Sequence, residues 1–214
     1  MRDVTSPTAS SGGQHSAKPC SALFLGAHPD DIEIGCGGTL AKMVALGWDV
    51  WMCVVTDDAD RTLATTRRHE AQASAAACGV PAAQVLFLGA PDTQLRCDGE
   101  TVGALRRLLG EAHCDPDLVI THTAADSHND HRVTHDLSRA TFRHKPFLCF
   151  GVVNSFVPSA FVPKVFVDVV GYTDVQAAAL ARHETQHSRI NLEAIQRLRR
   201  TYAQPLELEQ VEPF

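Results

Sequence analysis

The sequence has no excess of positive charge. Its 19 lysines and arginines are outnumbered by 25 aspartates and glutamates, for a formal charge of −6. That argues against a general nucleic-acid binder, which carries a basic stripe. No apolar run approaches the roughly 18–20 residues of a membrane-spanning helix. The first 19 residues are rich in Ser, Thr, Gly and Pro and have no hydrophobic centre. They read as a disordered arm rather than a secretory signal. The seven cysteines are odd in number, scattered from Cys20 to Cys149, and include no C-x-x-C pair. They read as reduced thiols, not a disulfide framework, and predict a cytoplasmic protein. Neither G-x-G-x-x-G nor G-K-[ST] occurs, so the phosphate-cradling glycine loops are excluded.

What is present is enough chain for one domain with a stable core. The 214 residues are 44% hydrophobic and 21% charged, and residues 20–214 read as a single domain without internal repeats. Apolar runs of strand length alternate with helix-period segments. Strands are expected over 21–26, 49–56, 84–88 and 117–122, and helices over 37–47, 63–78 and 100–113. Past residue 140 come strands over 147–153 and 163–170, helices over 174–187 and 189–203, and a short edge strand over 206–211. The expected fold is α/β: a Rossmann-like, mostly parallel sheet with helices on both faces and added C-terminal strands and helices. Ligands of such sheets bind beyond the carboxyl ends of the strands. Loops 27–36, 57–67 and 122–131 emerge at that edge.

The first of these loops holds His28-Pro29-Asp30-Asp31, one imidazole and two carboxylates in four positions. Residues 122–135 carry four histidines and two aspartates, with His128-Asn129-Asp130-His131 the tightest piece. Alone, either motif is an ordinary polar stretch. At two strand ends of one sheet they point to a metal centre. A catalytic zinc takes about three N and O ligands and keeps one position open. His28 and Asp31 can supply two ligands and one imidazole of 128–131 the third. Asp30 is then free to take a proton from water. The remaining histidine can face a developing oxyanion, and Asp130 can orient an imidazole ring. Gly35, Gly37 and Gly38 serve a tight turn and close packing. His122, His135 and His183 read as packing and hydrogen-bonding residues. Asp57 and Asp58 are a solvated loop or substrate contacts.

These residues resemble a known family. Ala27-His28-Pro29-Asp30-Asp31-Ile32-Glu33-Ile34-Gly35-Cys36-Gly37-Gly38-Thr39-Leu40-Ala41 is similar to the signature of the PIG-L/LmbE-like zinc-dependent N-deacetylases. His128-Asn129-Asp130-His131 resembles their second motif, His-Pro-Asp-His, with asparagine in place of proline. Arg67-Arg68-His69-Glu70-Ala71, Leu88-Gly89-Ala90-Pro91-Asp92, the segment Ala179 to Gln186 and the closing Glu212-Pro213-Phe214 fit further family segments. Gln176 and Thr185 stand where lysine and serine are common.

The resemblance implies one Zn2+ (Fe2+ being the other metal considered) on His28, Asp31 and His131. It implies Asp30 as general base and His128 as oxyanion donor or acid, tuned by Asp130. Arg67 and Asp92 are then substrate contacts. The implied reaction removes an N-acetyl group from an amino-sugar conjugate, a small-molecule glycoside or glycolipid. No nucleic-acid partner is expected, and a homo-oligomer is open. The other readings of the same residues are a metal-dependent phosphoesterase and a non-catalytic zinc-binding member of the fold.

Overall fold

The computed structural model describes residues 18–153, 155 and 160–214. Most of the expected arm, residues 1–17, and part of the loop at 154–163 lie outside them. Five strands form one parallel sheet: β1 (Ser21–Gly26), β2 (Asp49–Asp57), β3 (Val85–Pro91), β4 (Leu118–His122) and β5 (Phe147–Phe150). Their order is β3-β2-β1-β4-β5. The chain moves outward from β1 in one direction through β2 and β3, then returns to the other side through β4. The crevice between the ends of β1 and β4 is therefore the topological switch point, where open α/β sheets bind ligands.

Burial explains why β1 is central. All six of its residues are buried. Ala22 and Phe24 join one core cluster with Ile32 and Leu40 of α1 (Asp31–Ala45), Ala75 of α2 (Arg61–Ala77) and Phe150. Leu23 and Leu25 face the opposite way, into a cluster with Leu105 and Leu109 of α3 (Gly99–Glu111) and Leu137 of α4 (Asn129–Thr141). A continuous apolar run is what a strand covered on both faces requires.

The C-terminal part departs from expectation. The strand read over 163–170 shortens to β6 (Phe166–Asp168), and the one read over 206–211 becomes β7 (Val211–Pro213). The two pair antiparallel in a separate ribbon. The helix read over 174–187 ends early, as α5 (Thr173–Leu180), because the residues after it turn inward. His183 is fully buried with Nε2 3.3 Å from Glu33 Oε1. Thr185 donates from N–H and Oγ1 to Glu70 (2.9 and 2.6 Å). A final helix, α6 (Leu192–Ala203), precedes β7.

Helix α1 begins at Asp31, six residues before its expected start, despite glycines at 35, 37 and 38. It is kinked at Cys36 (φ −153°, ψ 28°). The amides freed there are met by Glu212, whose carboxylate accepts from Gly38 N–H at 2.9 Å and Thr39 N–H at 2.6 Å. The buried guanidinium of Arg199, on α6, pairs with the same carboxylate. Gly35 is obligatory for packing: a Cβ there would lie 2.2 Å from the Phe150 ring. Among the described residues no helix is long and apolar enough to cross a membrane.

Candidate metal centre

The loop after β1 is pinned on both sides. Thr56 N–H and Oγ1 on β2 donate to Ala27 O (2.9 and 2.7 Å). Ala27 N–H donates to His122 Nε2, at the end of β4, at 2.9 Å. The His28 amide then donates to Asp31 Oδ2 at 2.7 Å, closing a tight polar turn. Three imidazole nitrogens converge on that oxygen: His28 Nδ1 and His122 Nε2 at 3.2 Å each, and His131 Nε2 at 3.4 Å. Burial alone would raise the Asp31 carboxyl, but the neighbouring imidazoles, His131 first among them and His28 with it, hold it well below the usual carboxylate range.

This donor set fits a metal ion. Tetrahedral bonds of 2.0–2.2 Å place neighbouring donors roughly 3.3–3.6 Å apart, the spacing between Asp31 Oδ2 and its imidazoles. The side chains of His28, His128 and His131, of Asp31, His122 and His131, and of His28, Asp92 and Asp130 each bring three donor atoms within 4.8 Å of one another. The imidazoles and carboxylates suit zinc or another divalent transition metal. His28 and His131 are oriented as metal-binding histidines are, with the far ring nitrogen on a carboxylate. His131 Nδ1 lies 3.0 Å from Asp126 Oδ2. His28 Nε2 lies 3.0 Å from Asp92 Oδ1 and 3.6 Å from Asp130 Oδ2.

Those contacts give several of the expected site residues protein partners, while Asp92 also lines the cavity. Asp92, expected at the substrate, bonds His28, which drops its carboxyl to about 2. Asp130, fully buried, accepts from Thr93 N–H at 2.7 Å and faces His28 rather than the His128 ring. Arg67, also expected at the substrate, is buried, with Nη2 3.5 Å from Asp30 Oδ1 and Nη1 3.8 Å from Asp58 Oδ2. His122 was expected to reach the pocket at most as a non-ligand, in a packing and hydrogen-bonding role. It stacks on His131 at 4.1 Å, but it also sits within the donor cluster. Burial lowers its imidazole to about 4, and Nε2 already accepts the Ala27 amide. His135 Nδ1 meets His122 O at 2.8 Å, a packing role.

Asp30 is set apart from the cluster. It flanks the start of α1 and is 8% exposed. Burial and the neighbouring Asp31 charge raise its carboxyl, against the opposing pull of His183 and Arg67. A carboxyl raised from its ordinary value is better matched to proton transfer than a free one. His128 caps α4, its Nδ1 accepting from Asp130 N–H at 3.3 Å. Burial, His131 and His28 lower its pKa, so the ring is neutral. With Nδ1 as acceptor, the single ring proton sits on Nε2. His28, Asp30, Asp31, His128 and His131 line one cavity of about 400 Å³.

Asp126 is the main residue the sequence reading missed. It is buried and also accepts from His128 N–H at 2.8 Å and Ser155 Oγ at 3.1 Å. A loop carboxylate five positions before His131 was the available signal. Asp126→Asn is expected to weaken zinc affinity roughly 10- to 100-fold, measured by competition with a chromophoric chelator, with the circular dichroism spectrum unchanged.

Comparison with known proteins bears on the family and the fold. The model of the PIG-L family, described as GlcNAc-PI de-N-acetylase, matches residues 23–142, which include both motifs. A protein of Escherichia coli K12, the uncharacterized deacetylase YaiS, is 30% identical over 168 residues, covering 76% of this chain and 90% of its own. The conserved protein TT1542 of Thermus thermophilus superposes with a TM-score of 0.76 at 25% identity, over 90% of this chain and 92% of that one. The N,N'-diacetylchitobiose deacetylase of Pyrococcus horikoshii gives 0.73 at 22% identity, over 91% and 82%.

Proposed function

This chain belongs to the PIG-L family of N-deacetylases, amide hydrolases, and on that premise we propose that it removes an acetyl group from an amino-sugar conjugate using one zinc ion. The observation that carries the proposal is the convergence of His28, His122 and His131 on Asp31 Oδ2, with Asp30 held beside that cluster in the same cavity. His28, Asp31 and His131 would hold the metal, which supplies Lewis acidity and lowers the pKa of a water to roughly 7.

The chain's own groups perform the remaining work. Asp30 accepts a proton from the attacking water as it adds to the amide carbonyl. His128 Nε2–H donates to the carbonyl oxygen as negative charge builds there. Its neutral state and fixed tautomer suit it to donate a hydrogen bond rather than a whole proton. Asp30 then returns its proton to the leaving nitrogen, so that the C–N bond breaks with release of a neutral amine. Arg67 fixes the Asp30 carboxylate by charge. Asp92 and Asp130 hold the His28 ring, as Asp126 holds that of His131.

An amino-sugar substrate is supported by the family description. One metal rather than two is the reading in which Asp92 and Asp130 orient the His28 ring; the same two carboxylates with His28 are the donors a second metal would take, so the phosphoesterase reading is separated by experiment. The test is zinc-loaded protein against a panel of N-acetylated glycosides and phosphate monoesters. Equal amounts of free amine and acetate are expected, without inorganic phosphate. Phosphate release without amine would reverse the assignment.

A further inference from the structure

The cavity has a second end that the deacetylation chemistry does not use. One wall comes from the turn after α5 and the start of α6, which contribute Gln186, Arg189, Asn191 and Ile195. This turn is held from below: both Thr185 bonds to Glu70 and the fully buried His183 anchor it to α2 and α1. Arg189 N–H donates to Gln186 O at 2.8 Å, fixing its backbone to the same turn. Gln186 is buried, at 7% exposure.

Among the described residues, Arg189 is the one lysine or arginine that lines this cavity. The other charged or titratable groups lining it are Asp30, Asp31, Asp92, His28, His128 and His131. Arg67 does not line it and is neutralised by Asp30 and Asp58. The Arg189 guanidinium has no hydrogen bond or ion pair among the described residues, although acidic residues stand nearby at Glu184 and Glu193. Arg189 is exposed, and an unpaired guanidinium bordering a carboxylate-lined cavity is a fork of donors matched to carboxylate or phosphate oxygens. The remaining wall combines apolar Ile34, Val152, Val153 and Ile195 with the hydroxyls of Thr93 and Ser155. A volume of about 400 Å³ suits one small ligand rather than a long oligomer.

We propose that Arg189 binds an anionic group on the substrate, so that the preferred substrate is an N-acetylated amino sugar carrying a phosphate or carboxylate. This rests on the deacetylase reading of the same site. The anion on Arg189 orients the sugar, and its amide is delivered to Asp30 and His128. Asn191 is occupied in capping α6, its Oδ1 accepting from Ala194 N–H, so the charge-reading role falls to Arg189 with Gln186 beside it.

Two measurements on the zinc-loaded full chain test this. The first is turnover of N-acetylglucosamine, its 1-phosphate, its 6-phosphate and its 3-O-lactyl ether by wild type, Arg189→Ala and Arg189→Lys. An anionic substrate is expected to exceed the neutral sugar roughly 10- to 100-fold in kcat/KM, the effect of a charge-assisted hydrogen bond. The preference should appear mainly in KM, collapse toward one in Arg189→Ala and be partly kept in Arg189→Lys. Which anion is preferred separates phosphate from carboxylate. The second measurement is calorimetric binding of the matching free amines, glucosamine and glucosamine 6-phosphate among them. It needs no turnover, so it decides even if no substrate is hydrolysed. Equal binding of neutral and anionic ligands to wild type, or a preference that survives Arg189→Ala, overturns the inference. Absence of amine release with an Arg189-dependent anion preference intact would instead overturn the deacetylase reading.

Discussion

Asp30→Asn is expected to keep its zinc and lose roughly 10²- to 10⁴-fold in kcat, the range for removal of a positioned general base. The asparagine side chain has nearly the same shape, so the turn from His28 to Asp31 persists. The metal donors are untouched, because Asp30 makes none of the contacts to Asp31 Oδ2. What is lost is the carboxylate that accepts a proton and the negative charge facing Arg67. Metal content by atomic emission and steady-state amine release, measured on the same preparation, check the two halves. Full activity would remove Asp30 from the mechanism. Loss of zinc would instead place Asp30 among the ligands.

Glu212→Ala is expected to cost about 3–5 kcal/mol in unfolding free energy, the cost of breaking a buried ion pair by removing one partner. The substitution strands Arg199, 3% exposed, without its carboxylate. It also frees the Gly38 and Thr39 amides at the kink of α1. That amounts to a large share of an ordinary domain's stability. Urea denaturation followed by tryptophan fluorescence reads it directly. A loss below about 1 kcal/mol, the size of one ordinary hydrogen bond, would mean that water replaces the carboxylate at the kink. This gives the chain's closing Glu212-Pro213-Phe214 a physical role: it caps, from the far end of the sequence, the helix that begins at the metal centre.

The alternation of apolar runs and helix-period segments was sufficient to read the five-stranded core. The two motifs fall at the ends of adjacent central strands, so their meeting was legible too. The roles around them were not. That Asp92 meets His28 and Arg67 meets Asp30 depends on the rotation of side chains across 64 and 37 positions of sequence separation. No local spacing encodes that. Asp126 and Arg189 escaped notice for the same reason, since each acts through a partner or cavity assembled from distant elements. The early start of α1 was hidden by its glycines. A helix-breaking triplet is tolerated only because Glu212 and Phe150 meet it, and both lie far along the chain. Two family segments that looked separate in the sequence, Arg67 to Ala71 and Ala179 to Gln186, turn out to be bonded through Glu70 and Thr185. Threonine supplies there the hydroxyl that serine commonly provides.

The central claim is one metal, held by His28, Asp31 and His131, serving amide hydrolysis. It is tested most directly by titrating chelator-treated protein with zinc while following amine release from an N-acetylated amino-sugar substrate. Activity is expected to rise linearly and break at one equivalent per chain, with no recovery in His131→Ala. Activity in the metal-free protein, or a break at two equivalents, would contradict it.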